Sequence, residues 1–383
     1  MKILMLSWEF PPKVVGGIAP HVHDLSLSLH EQGQEVSVLT IGTPGTAEEQ
    51  NWKGVNVYRV KSSNPHPPDF ISWVLQFNLN LVEKAVRLLQ EGADFDLIHA
   101  HDWLVAYAGK MLKHALRKPL VATIHATEWG RNNGLHNDLQ RYISDVEWWL
   151  AYEAWRVICC SRYMFNELQN IFQLPKDKLR IIPNGVYPET FRSVPPGFAS
   201  IRDQYAAPDE KIIFYVGRLV IEKGLDQLLE AAPRILAADP QVKFVIAGKG
   251  PYAEDLHAKA KQLGIYEKCY FTGFIDDQTR NALFRAAAVA VFPSLYEPFG
   301  IVALEAMAAG TPVVVTDTGG LGEVVQHGKN GLKAMAGNPA SLAENIIWML
   351  SYPEQARALS AQASRDVETE YNWEKIARAT IRV

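Results

Sequence analysis

Cysteine is scarce in this chain: three residues in 383, two of them adjacent at Cys159 and Cys160 and the third at Cys269. Three cysteines cannot build a disulfide framework and lack zinc-module spacing, so a reducing compartment, the cytoplasm, is expected. No stretch supplies the roughly twenty uninterrupted apolar residues of a helical bilayer span. The amino end has one charge and a short apolar run before Glu9, Pro11 and Pro12. It reads as a buried first strand and not as a secretory leader. Net charge is also small, -4, with no arginine-rich arm, so nucleic acid is not an expected partner.

What is present is an ordinary globular composition, 48% hydrophobic and 21% charged, at a length suited to two domains. Short apolar runs at 2–6, 35–40, 55–60, 97–100, 120–124, 157–160 and 179–182 alternate with stretches of helical period. The rhythm resumes at 211–216, 242–247, 268–272, 289–292 and 312–316, with helices such as 225–238 and 301–309. Such alternation predicts an α/β protein of two doubly wound, Rossmann-like domains. Pro183, Pro188, Pro195, Pro196 and Pro208 mark a segment without helical or strand period. The expected division is a domain over 1–184, a linker over 185–209, a domain over 210–365, and a last helix over 366–383 that returns to the first domain. Open α/β sheets bind ligands at the carboxyl ends of their strands, so an interdomain cleft is the expected site.

The most informative stretch follows the run ending at Phe292. Pro298 and Gly300 shape a loop opening into a helix, whose first amides, from Phe299 and Gly300 through Ile301 and Val302, can hold an anion or sugar hydroxyls. Glu297 and Glu305 can accept from polyol groups; by spacing alone, a loop charge and a solvated helix residue fit equally well. Arg218 and Lys223 follow the first strand of the second half. Two cations suit a diphosphate, although in isolation a basic loop neutralising Glu222 and Asp226 is the commoner outcome. Gly16 and Gly17 lie between the first strand and a helix, where glycine lets amides approach a phosphate or merely turns the chain. His99, His101 and His125 sit at two strand ends; they read either as core histidines or, with His99 and His101 on one side of a strand, as metal ligands. Asp94 and Asp96 spell Asp-x-Asp but precede a buried strand, where a capping turn is the better reading. Eight of the ten tryptophans fall within the first 155 residues. Trp103 and Trp129, beside the crevice motifs, are candidates for stacking on a sugar ring. Lys110, Lys113, His114, Arg117 and Lys118 form a basic helix, read as a solvated face with peripheral membrane contact as the alternative.

The run from Glu297 through Pro298-Phe299-Gly300-Ile301-Val302-Ala303-Leu304 to Glu305, followed by Ala309-Gly310-Thr311-Pro312-Val313, resembles the signature of family-4 retaining glycosyltransferases of the GT-B fold. The resemblance covers nearly the whole chain. It implies two Rossmann-like domains facing a cleft, a nucleotide diphosphate sugar as donor, and catalysis without metal or cofactor. Glu297 would contact the donor sugar and Glu305 the ribose. Arg218 and Lys223 would clamp the pyrophosphate, with Gly16, Gly17 and Asn184 also on the donor. The run His99-Ala100-His101-Asp102-Trp103 is similar to bacterial glycogen synthases, which implies His125 near the reacting face of the sugar and Asp102 near the acceptor. In one departure, Asn184-Gly185-Val186 continues with Tyr187 where the family often has Asp. The implied activity is that of a retaining hexosyltransferase of polysaccharide biosynthesis. UDP-glucose is the favoured donor, and a saccharide or lipid-linked saccharide the acceptor. An ADP-glucose-dependent α-glucan synthase and a noncatalytic sugar-binding protein are the alternatives.

Overall fold

The computed structural model describes residues 1–61, 66–193 and 197–383. They form two units, Met1–Asn184 with Trp373–Val383, and Gly185–Asn372. The first contains eight strands: β1 (Lys2–Leu6), β2 (Glu35–Ile41), β3 (Glu49–Trp52), β4 (Val55–Val60), β5 (Leu97–His101), β6 (Leu120–Ile124), β7 (Arg156–Cys159) and β8 (Leu179–Ile181). Their order in the sheet is β3-β4-β2-β1-β5-β6-β7-β8, parallel except for the β3–β4 hairpin. The inner strands are apolar runs buried along nearly their whole length, as in β6 (LVATI), which is what a sheet covered on both faces requires. β3 escaped the sequence reading because its residues, EQNW, carry no apolar run; it is an exposed edge folded back through Lys53 and Gly54, both at positive φ.

The second unit contains β9 (Lys211–Val216), β10 (Val242–Ala247), β11 (Cys269–Gly273), β12 (Ala287–Phe292), β13 (Val313–Thr316) and β14 (Leu332–Ala334), in the order β11-β10-β9-β12-β13-β14 and all parallel. With only three residues, β14 was too short to register as a period. The expected linker over 185–209 needs correction. Its residues 194–196, including Pro195 and Pro196, lie outside those described. The rest carries helices Pro188–Arg192 and Phe198–Asp203, which belong to the second unit. Phe191 packs edge-on to Phe284, and the Arg285 guanidinium donates to Arg192 O at 2.9 Å. Proline at the first helical position starts the former helix, so the residue taken for a breaker is an initiator. The helix Trp373–Ile381 belongs to the first unit, its indole Nε1 donating to Asp24 Oδ2 at 3.1 Å.

Caps differ with position. Helices beginning at Phe70, Asp138 and Asp277 have Asp69, Asn137 and Asp276 accepting from a first-turn amide. Those beginning at Ile18, Leu225 and Ile301 start from Gly17, Gly224 and Gly300, with no side-chain cap. In the last two the first amides are left to an external acceptor, whereas the Ala19 amide of the helix from Ile18 is bonded to Glu9. Among the described residues, no helix is long and apolar enough to cross a membrane.

Candidate active-site clusters at the sheet switch points

The first sheet reverses direction between β1 and β5, and the second between β9 and β12. Ligand sites of open α/β sheets form where the strand order reverses, because neighbouring connections leave there toward opposite faces. Many of the residues singled out from sequence follow the strands at these two points; Asn184, Asp94, Asp96 and the basic helix do not.

In the first unit, the loop after β1 folds around Glu9, 1% exposed, whose Oε2 accepts from Val15 N at 2.5 Å and Gly16 N at 3.2 Å. Burial raises this carboxyl above its ordinary range, against the opposing pull of those amides and Lys13. The Gly16 amide expected to meet a phosphate is thus engaged by an internal carboxylate. His99 and His101 do lie on one side of β5, their rings 4.2 Å apart, and their nitrogens meet different partners. His99 Nε2 meets Thr123 Oγ1 at 2.7 Å, while His101 Nδ1 stands 3.2 Å from His125 Nε2. His21, which sequence reasoning missed, places its ring 4.6 Å from that of His125 and 5.5 Å from Trp373. The signal available was a histidine one turn into the glycine-started helix. Burial lowers His99 and His125 to about 3 and His21 and His101 well below their ordinary value, so all four imidazoles are neutral.

Asp102 has φ 60 and ψ 174, a backbone region essentially reserved for glycine and costly for any side chain. Two bonds hold it there: its own N–H donates to Thr123 O at 3.0 Å, and its Oδ1 accepts from His125 N at 2.8 Å. That second bond fixes the loop carrying His125. Burial raises Asp102 to about 6, opposed by Arg131 at 3.9 Å. The same guanidinium faces Glu128 at 3.6 Å and Glu147 at 4.0 Å. Glu147 accepts from Glu128 N at 3.0 and 2.9 Å and is pushed by burial to about 8. Neither Arg131 nor Glu147 was legible as a site residue, since a charge on a helix carries no periodic signal of burial. Trp103, expected as a sugar platform, is 5% exposed and packs edge-on to Phe70, so its face is part of the core. Trp129 is 39% exposed and keeps an accessible ring. Asn184, 4% exposed, ends the unit beside His21.

In the second unit, Lys223 Nζ and Glu297 Oε2 meet at 2.6 Å, and Ser294 Oγ donates to the same oxygen at 3.2 Å. The Glu222 carbonyl accepts from Leu295 N at 2.8 Å and Tyr296 N at 3.2 Å, stitching the loop after β9 to the loop after β12. Gly224 has φ +63, and a Cβ there would lie 2.1 Å from Pro293 O, so this close approach requires glycine. Gly300 has φ +97 and starts the helix Ile301–Ala308, on which Glu305 is 9% exposed. Glu305 Oε1 is 3.8 Å from Arg280 Nη1, a second cation the sequence did not flag. Arg218 is more open: it reaches Glu222 Oε1 at 3.2 Å, with its side chain 46% exposed. The neutralising partner considered for both cations is therefore right for Arg218 only, since Lys223 pairs with Glu297. Asp94 and Asp96 lie at the amino end of β5, where Asp96 Oδ2 accepts from Lys2 N at 2.8 Å. Of the basic helix, Lys110, Lys113 and His114 surround Glu153 at 3.4, 2.9 and 3.4 Å.

Comparison with known proteins completes the picture. The family model "Glycosyltransferase Family 4" matches residues 15–190, and "Glycosyl transferases group 1" matches residues 198–366. An uncharacterized glycosyltransferase of Methanocaldococcus jannaschii is 42% identical, over 100% of this chain and 97% of the relative. The chain belongs to the family-4 glycosyltransferases. This transferase is also similar to a glycogen synthase of Mycobacterium tuberculosis, 36% identical over 100% of this chain and 94% of that protein. The solved sucrose-phosphate synthase of Thermosynechococcus elongatus superposes with a TM-score of 0.86 at 27% identity, covering 100% of this chain and 97% of that one. The fold is GT-B.

Proposed function

We propose that this transferase moves glucose from UDP-glucose to a saccharide hydroxyl in the cytoplasm, with retention of anomeric configuration and without metal or cofactor. The carrying observation is the Lys223–Glu297 pair at 2.6 Å, beside an uncapped helix start at the β9/β12 reversal. A half-buried ammonium and open helix-start amides suit a ligand whose negative charge grows during reaction.

In this reading, the amides of Gly300, Ile301 and Val302, together with Lys223 and Arg218, receive the diphosphate. Glu305 accepts from the ribose hydroxyls and Glu297 from those of the sugar. The bond from C1 to the diphosphate oxygen breaks with its electron pair leaving on oxygen. The acceptor oxygen bonds to C1 on the same face, and its proton passes to the departing phosphate oxygen. His125, held neutral, can contact a sugar that becomes oxocarbenium-like; an imidazolium there would oppose the developing positive charge. Asp102 and the Trp129 ring serve the acceptor.

The M. tuberculosis relative and the His99–Trp103 run support a second reading, an ADP-glucose-dependent α-glucan synthase. Incubating the full chain with UDP-, ADP- and GDP-glucose and malto-oligosaccharides, and following nucleotide release and the product's anomeric proton by NMR, tests both. UDP release with an α-linked product is expected. ADP release with chain elongation would favour the second reading. Tight binding of free glucose with no release from any donor would replace both with a sugar-binding protein.

A further inference from the structure

Three imidazoles converge in the first unit from three separate elements: His21 from the helix Ile18–Glu31, His101 from β5, and His125 from the loop after β6. Each can present one ring nitrogen such that the three lie within 4.8 Å of one another. His101 Nδ1 and His125 Nε2, at 3.2 Å, already stand near the spacing of about 3.3 Å that a tetrahedral zinc ion imposes on two ligands at about 2.0 Å each. Among the described residues, His101 Nε2 is buried without a hydrogen-bond partner while its Nδ1 meets His125 Nε2, and His21 is buried beside the Asn184 side chain. The Asn184 side chain lies within hydrogen-bonding reach of His21. Buried polar atoms normally find partners, and a cation taken up among these rings would satisfy one buried nitrogen of each, replacing the present His101–His125 hydrogen bond.

The chemistry of the set selects the ion. Imidazole binds a metal through a ring nitrogen that carries no proton. Nitrogen donors without a carboxylate favour zinc, copper and nickel over magnesium or calcium. His125 is the least buried of the three.

We propose that His21, His101 and His125 bind a divalent transition-metal cation of the zinc class, and that occupation blocks transfer by engaging His125. The binding stands independently of the proposed reaction; the block rests on His125's role in it.

Titration of the full chain with Co2+ tests the site directly. One equivalent should give the visible absorption of a four-coordinate nitrogen site without thiolate charge-transfer bands, displaced by Zn2+. His21→Gln and His101→Gln should each weaken Zn2+ binding at least tenfold. Zn2+ should inhibit transfer with the binding midpoint, reversibly with EDTA. If either variant fails to fold, 15N spectra of the unaltered chain serve instead: Zn2+ should move the ring signals of these three histidines. Unmoved ring signals, absence of stoichiometric binding, or thiolate bands arising from the buried cysteines would overturn the site. Stoichiometric binding with unimpaired transfer would overturn the block alone. A chain inactive on every nucleotide sugar would defeat the proposed function while leaving the site measurable by absorption.

Discussion

At the β1/β5 reversal, polar groups are buried, with imidazoles pushed down to about 3 and Glu147 and Asp102 pushed up to about 8 and 6 around the Arg131 guanidinium. At the β9/β12 reversal the polar groups are ion pairs, Lys223 with the buried Glu297 and the more open Arg218 with Glu222. Equivalent points of two similarly wound sheets thus suit different tasks. The second unit offers cations and open helix-start amides to an anion. The first offers neutral imidazoles and buried carboxyls to uncharged hydroxyls. Topology sets where a site can form, and the local balance of burial and pairing sets what it can hold.

The largest expected effects test this contrast. Trp103→Ala should destabilise the chain by about 3–5 kcal/mol, the cost of emptying a buried aromatic position. Chemical denaturation measures it, and turnover per folded molecule should change little. Full stability with a raised acceptor KM would instead make Trp103 an acceptor contact. Lys223→Ala should behave in the opposite way, losing on the order of 3 kcal/mol of transition-state stabilisation, some hundredfold in kcat, while unfolding at nearly the same denaturant concentration. Near-normal kcat would remove the second unit's claim on the diphosphate.

The pH dependence of stability is the next discriminant, and it reports on the first unit. Folded-state histidines near 3 lie below the unfolded value of about 6.5, so their contribution is present above about pH 6.5 and lost as pH falls toward 3. Glu147 near 8 lies above the unfolded carboxyl value of about 4.3, so its contribution is lost as pH rises from there through 8. Thermal midpoints should therefore peak near neutrality and fall on both sides. Glu147→Gln, which cannot ionise, should flatten the alkaline limb; an unchanged limb would place the charge elsewhere. The smallest effect belongs to Trp129→Ala. Loss of an exposed stacking ring should raise the acceptor KM several-fold and leave kcat and the donor KM intact, as initial-rate kinetics would show.

How far the sequence could be read differed between elements. Strands such as β6 and β10, continuous apolar runs between turns, were legible to the residue because local composition alone specifies them. The edge strand β3, with four polar or aromatic residues, and the three-residue β14 were not, since pairing with a neighbour creates them. Glu297, Glu305, Arg218 and Lys223 could be singled out as candidates through their motifs. Arg280, Glu147 and His21 were not, because their partners come from elements 25, 19 and 104 residues away.

By itself the sequence determined the alternation of strand and helix, the two doubly wound halves, and the glycines that start helices without a cap, because these depend on side-chain period and backbone freedom within a few residues. Only the tertiary structure decided that Lys223 faces Glu297, that Trp103 is core, and that three histidines from three elements meet. Burial and pairing are properties of distant segments brought together, and no local pattern encodes them.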